Sequence, residues 1–196
     1  MQTRSRTTVR RRQIVDIIRT IISSKGIEAV TISEIATRIG TSKTAIYRHF
    51  KSKRDILSLL IDNIEETLMA ALDSAMVNED PVQNLKSVLL AHLAYARERR
   101  ETSFIIIMGA MQFSDAVIRE KIFQLIRKYL RKIEEILTSA IESGLIKKDI
   151  NPQISAIVFL GLIQSTVTVW SYKNFDFVPK RIHAELWDIY WQGISL

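Results

Sequence analysis

The chain holds 196 residues, 47% of them hydrophobic, with 28 Lys/Arg, 21 Asp/Glu, three His and no Cys. That composition supports a sizeable core in one or two domains and excludes a disordered chain and disulfides, and with only His49, His92 and His183 to draw on a structural zinc site has little to build on. The net charge of +7 is uneven, since residues 1 to 54 carry 13 basic against 3 acidic side chains and the remainder 15 against 18; a polyanionic partner, nucleic acid or anionic membrane, is implied for the first part alone.

The Arg-rich start is followed by IVDIIRTII at 14 to 22, an apolar segment broken by Asp16 and Arg19 and therefore no export signal, which predicts a cytoplasmic chain. Ile14, Ile17, Ile18, Ile21 and Ile22 recur at helical spacing, and Gly26 suits a left-handed cap behind them. Thr31-Ile-Ser-Glu34 reads as a capping box opening a second helix, which reaches about Ile39 before Gly40. Thr41 or Ser42 then caps a short third helix to about His49, and Ser52 a fourth to about Met76. Further helices are predicted at about 82 to 99, 102 to 112 and 115 to 143, the last closed by Gly144. Asn151-Pro152 opens the next helix and Pro179 the final one. No alternating strand pattern competes, so the predicted fold is all-α.

A buttressing helix, a short helix, a four-residue turn with glycine and another short helix make the helix-turn-helix arrangement, and Ala36 is small enough for a steep close crossing. The run Gly26-x3-Val30-Thr31-Ile32-x2-Ile35-Ala36-x3-Gly40-x-Ser42-Lys43-x2-Ile46-Tyr47-x-His49-Phe50-x-Ser52-Lys53-x2-Ile56-Leu57 resembles the N-terminal domain of TetR-family transcriptional regulators. Thr41 departs from the apolar β-branched residue often found there, though its methyl still packs.

The resemblance implies a three-helix DNA-binding domain over 1–51 and a helical ligand-binding and dimerisation domain over 52–196, joined by the helix at 52–76. It also implies a homodimer on double-stranded operator DNA, repressing as a rule and released by a small apolar or amphipathic effector. A recognition helix offers its first residues to base edges, which makes Lys43, Thr44 and Ala45 the base-reading candidates. Thr31, Ser33, Tyr47, His49 and Lys53 are candidates for phosphate, and Arg4, Arg6 and Arg10 for a flexible DNA arm. Tyr47 facing the core, His49 capping its helix and Lys43 as a plain solvated charge are the competing readings.

In the second part, Leu85, Leu89, His92 and Ala96 share a helical face, which makes His92 either a pocket residue or a satisfied core histidine, and Phe104, Met108 and Met111 suit either an adaptable apolar cavity or plain core. Tyr129, Gln164 and Thr168 are candidates for orienting polar groups in the same pocket. Residues 150 to 172 hold no charged side chain and are long enough to span a bilayer. The reading preferred here buries them at a dimer seam with the last helix, built from Phe159, Leu162, Trp170, Leu186, Trp187 and Tyr190. A membrane-anchored DNA-binding protein is the alternative, and a DNA-packaging protein indifferent to sequence a third. No nucleophile elbow, phosphate-binding glycine loop or metal-ligand spacing occurs, so neither an enzyme nor a cofactor is expected.

Overall fold

The computed structural model describes the backbone of residues 2–99, 115–172 and 180–196, and the side chains of 13–99, 115–170 and 182–196. Within these residues there are eight α-helices, one 3-10 turn and no strand, as the sequence pattern predicts. In chain order they are α1 (Gln2–Lys25), the 3-10 turn (Ile27–Ala29), α2 (Ile32–Ile39), α3 (Lys43–Tyr47), α4 (Lys53–Ala75), α5 (Pro81–Arg99), α6 (Ala116–Glu142), α7 (Pro152–Tyr172) and α8 (Lys180–Ile194). The helix expected at 102 to 112 and the Pro179 start fall outside the described residues. The chain divides into two compact units, one of Met1–Glu65 and Glu101–Ile122, the other of Glu66–Arg100 and Phe123–Leu196.

In the first unit α1 buries Ile14, Val15, Ile18, Ile21 and Ile22, one apolar face that packs on α2. The helix begins at Gln2, well before the apolar stripe, because no Gly or Pro between there and Ile14 stops it from propagating backward. At its other end Gly26 is not the left-handed cap expected. It takes φ 79°, ψ 169°, an extended mirror conformation open to glycine, while its amide still donates to Ile22 O at 2.8 Å. The chain thus leaves the helix at once and buries Ile27 and Val30 on either side of the 3-10 turn.

Half of the expected capping box forms at α2. Thr31 Oγ1 accepts from Glu34 N at 3.1 Å, but the Glu34 carboxylate accepts instead from Lys25 Nζ at 2.9 Å and Arg38 Nε at 3.2 Å. Two cationic donors offer a carboxylate more than one neutral amide, and they hold its pKa below the usual value, Lys25 first. The far end of α2 is a Schellman turn, with Thr41 N donating to Ala36 O at 3.0 Å and Gly40 N to Thr37 O at 3.2 Å. Gly40 sits at φ 70°, ψ 39° with open space where a Cβ would be. Gly40→Ala should therefore cost about 1 kcal/mol through backbone strain alone, with Gly40→Asn costing less, as read by urea unfolding. Ser42, rather than Thr41, caps α3 by accepting from Ala45 N at 3.2 Å. The helix closes two residues earlier than expected, where His49 N turns onto Ile46 O at 2.9 Å in the tighter three-residue bond. Ser52 Oγ then accepts from Asp55 N and Asp55 Oδ2 from Lys51 N, fastening the start of α4.

In the second unit α5 packs against α7 and α8. Gly144 ends α6 in a second Schellman turn, its amide on Ile141 O and that of Leu145 on Ala140 O, both at 3.0 Å. Asn151 Oδ1 caps α7 by accepting from Gln153 N and Ile154 N, with Pro152 in the first turn as anticipated. Along α7, Ala156, Phe159, Ile163, Val167 and Trp170 form the buried stripe. Phe159 meets Tyr190 of α8 edge to face at 5.2 Å, and Tyr190 Oη donates to Ser155 O at 3.1 Å.

Candidate nucleic-acid interface

Ile46 and Phe50 are buried and fix the underside of α3 and the turn after it. With that side committed, Lys43 and Thr44 stand exposed and Ala45 half-buried. Tyr47, one helical turn after Lys43, is 53% exposed. Its core-facing alternative is thereby removed, and α3 presents an amine, a hydroxyl, a methyl and a phenol outward. His49 is exposed just beyond the helix, its ring 6.5 Å from that of Phe50. Thr31 and Ser33 are exposed at the electropositive start of α2, the Thr31 hydroxyl already serving as the cap. Lys53, in the first turn of α4, is half-buried and its Nζ lies 3.0 Å from Glu28 Oε2. Arg4, Arg6 and Arg10 stand on helical backbone, which corrects the expectation of a flexible arm; their side chains lie outside the described residues.

The second unit brings together two residues singled out separately. His92 Nδ1 and Tyr129 Oη are 3.0 Å apart with ring centroids 5.1 Å apart. Burial pushes His92 down to about 4 and pushes the Tyr129 phenol up, so both are neutral at pH 7. Sequence reasoning missed the neighbouring pair, Thr67 Oγ1 and Tyr95 Oη at 2.9 Å; Tyr95 lies three residues beyond His92 on α5, and that spacing was the available signal. Gln164 and Thr168 are half-buried on α7, with Thr168 Oγ1 turned onto Gln164 O at 2.7 Å. Phe104, Met108 and Met111 lie outside the described residues. A shallow groove of about 340 Å³ runs along α6 between Arg131, Glu134, Glu135, Thr138, Ser139 and Glu142. Among the described residues no cluster of His, Asp or Glu is arranged to hold a metal.

Four of the six residues expected at a dimer seam are committed to the chain's own interior. Phe159, Trp170, Trp187 and Tyr190 are buried within their own chain, and Leu162 and Leu186 are half-buried. The large rings are used to join α7 to α8, where Trp187 also stacks on Trp191 at 5.8 Å. The apolar side chains left outward are Ile154, Ile157, Val158 and Val169 on α7, 58%, 54%, 54% and 56% exposed, and Ile189 on α8. Gly161 and Ser165 are exposed along the same helix, and Gly161 has open space where a Cβ would stand. By length and composition, with a mean hydropathy of 1.5, Pro152–Trp170 also qualifies as a membrane span.

Residues 14–60 match the family described as bacterial regulatory proteins, tetR family, and residues 50–192 match the C-terminal region of YsiA-like proteins. Nucleoid occlusion factor SlmA of Vibrio campbellii is 26% identical over 186 residues, 93% of this chain and 94% of that protein. The fatty acid metabolism regulator protein of Bacillus subtilis is 27% identical over 159 residues, 81% of each. Among solved structures, FadR from Bacillus subtilis in complex with stearoyl-CoA has the same fold, with a TM-score of 0.79 at 24% identity over 91% of this chain and 96% of that one.

Proposed function

This chain belongs to the TetR family of bacterial transcriptional regulators, and we propose that it represses genes by binding a pseudo-palindromic operator as a homodimer in the cytoplasm and is released by an amphipathic acyl thioester. It is a DNA-binding regulator, not an enzyme. The observation that carries the reading is the outward face of α3, where Lys43, Thr44 and Tyr47 are exposed because Ile46 and Phe50 are fixed beneath. Lys43 donates to guanine, Thr44 and Ala45 meet thymine methyls, and Tyr47, His49, Thr31 and Ser33 hold phosphates. Residues 1–51 make up the DNA-binding domain in this reading and 52–196 the sensing and pairing domain.

Pairing is assigned to the outward apolar face of α7 with Ile189 of α8. The two-fold axis places the two copies of α3 in successive major grooves, roughly 34 Å apart. Effector bound in the second unit favours a state in which α4, which has residues in both units, shifts and alters that spacing. Support for an acyl-CoA effector comes from the fatty acid metabolism regulator and from the neighbour bound to stearoyl-CoA. A membrane-anchored protein finds no support, because the C-terminal family region runs unbroken through α7. The likeness to SlmA favours a second reading, a DNA-binding nucleoid occlusion factor.

The test begins with selection of bound fragments from the source genome. Lys43→Ala should lose about 1–3 kcal/mol of discrimination at the base it reads, measured by competition gel shift. Stearoyl-CoA should dissociate the complex of the unsubstituted protein. A Lys43→Ala variant with its preference intact overturns the assignment of α3; dispersed sites insensitive to stearoyl-CoA favour the second reading.

A further inference from the structure

We propose that Glu28 is a built-in brake on DNA binding, a carboxylate that occupies Lys53 and must be displaced before that amine reaches a phosphate. The inference rests on the DNA-binding reading above and adds to it a residue that lowers affinity.

Between Gly26 and Lys53 the chain carries only two carboxylates, Glu28 and Glu34. Glu34 is held by Lys25 and Arg38 on the flank of α2 and is accounted for by the local fold. Glu28 is different. Its side chain is 80% exposed, where a lone glutamate on a surface meant for a polyanion is repelled, yet it reaches across 25 positions to Lys53 Nζ at 3.0 Å. Neither end of the pair is free to drift. Glu28 is the central residue of the 3-10 turn, between buried Ile27 and buried Val30, and Gly26 supplies the positive φ that aims this turn. Lys53 follows the Ser52 cap and precedes buried Ile56 and Leu57. The backbone therefore holds carboxylate and amine within reach of each other, so only the two side chains remain to be ordered, and the pair is worth what an exposed ion pair is worth.

The consequence for DNA is a competition. A phosphate arriving at the start of α4 meets a cation already neutralised, so that part of the sequence-independent attraction is cancelled at each half-site. Lys43, read as a base contact, has no ion-pair partner among the described residues. Glu28 thus trims affinity for all duplexes alike and leaves sequence reading to α3.

The experiment is a double-mutant cycle of Glu28→Gln and Lys53→Ala, read by fluorescence anisotropy between 50 and 200 mM salt. Its probes are a duplex captured from the source genome and a scrambled duplex of equal length. Glu28→Gln should bind both probes roughly 2- to 30-fold more tightly at low salt. Its salt dependence should steepen by about one phosphate per protomer. In the Lys53→Ala background the same substitution should change nothing. Unchanged or weaker binding by Glu28→Gln overturns the brake, and so does an equal gain in the Lys53→Ala background, which would make Glu28 a diffuse negative charge. If the unsubstituted protein binds both duplexes equally, the regulator reading fails while the cycle still decides the brake.

Discussion

Val158→Asp is expected to yield a folded but monomeric protein whose operator affinity is lower by roughly 10²- to 10⁴-fold, the factor that linkage of two half-site contacts contributes. The residue is 54% exposed within its own chain, so the substitution opens no cavity there. At a two-fold seam every change appears twice, and two carboxylates brought together without cationic partners would be buried unpaired. The neighbours Ile154, Ile157 and Val169 supply the rest of the face, and the open space at Gly161 permits two helices to approach closely there. Sedimentation velocity reads the protomer mass and anisotropy with the captured duplex reads affinity. A variant that remains dimeric with undiminished binding would move the pairing surface elsewhere.

Much of the first unit was legible in the sequence because its signals are local. The glycine turn at Gly40, the hydroxyl of Thr31 and a cap at Thr41 or Ser42 each act over three to five residues, and the structure forms all three, with Ser42 as the cap, whereas Gly26 does not take the left-handed conformation expected of it. The outward face of α3 follows from the spacing of Ile46 and Phe50. Choices among competing partners were not legible. Glu34 has an amide and two cations within reach, and only the folded chain reveals that Lys25 and Arg38 prevail. The pairs Arg54 with Asp115 and Lys121 with Asp62 join residues 61 and 59 positions apart, and no sequence spacing announces them. Asp115 also caps α6, accepting from Val117 N and Ile118 N, and Arg54 first and those amides after it keep its pKa low.

The aromatic residues expected at the seam lie inside their own chain for a different reason. On α7 both faces are apolar, so periodicity identifies two stripes without stating which belongs to the chain's own core. A preference for aromatic anchors at interfaces selected Phe159, Trp170, Trp187 and Tyr190. Those large rings also release the most surface when they fill the protein's own interior, and that is where they are found. The medium-sized Ile and Val side chains were left outside.

Lowering the pH from 7 to 5 is expected to remove about 2 kcal/mol of the stability of the unsubstituted protein through His92 alone. In the fold its pKa is pushed down to about 4 by burial, while in an unfolded chain it keeps the ordinary imidazole value of 6.5. Between those values the unfolded state binds the proton and the folded state does not, so stability is fully present above 6.5 and drains away as pH falls toward 4. Protonation would also place a charge beside the Tyr129 hydroxyl 3.0 Å from Nδ1, in a site where burial already opposes charge. His92→Gln keeps a partner for that hydroxyl and does not titrate. The difference in urea midpoint between pH 7 and pH 5 should therefore be smaller in the variant, and subtracting it removes the contribution of the carboxylates common to both. Equal pH sensitivity in the two proteins would mean that His92 is solvated enough to take its proton in the folded state, and the second unit would then lack the dry polar pair assigned to it.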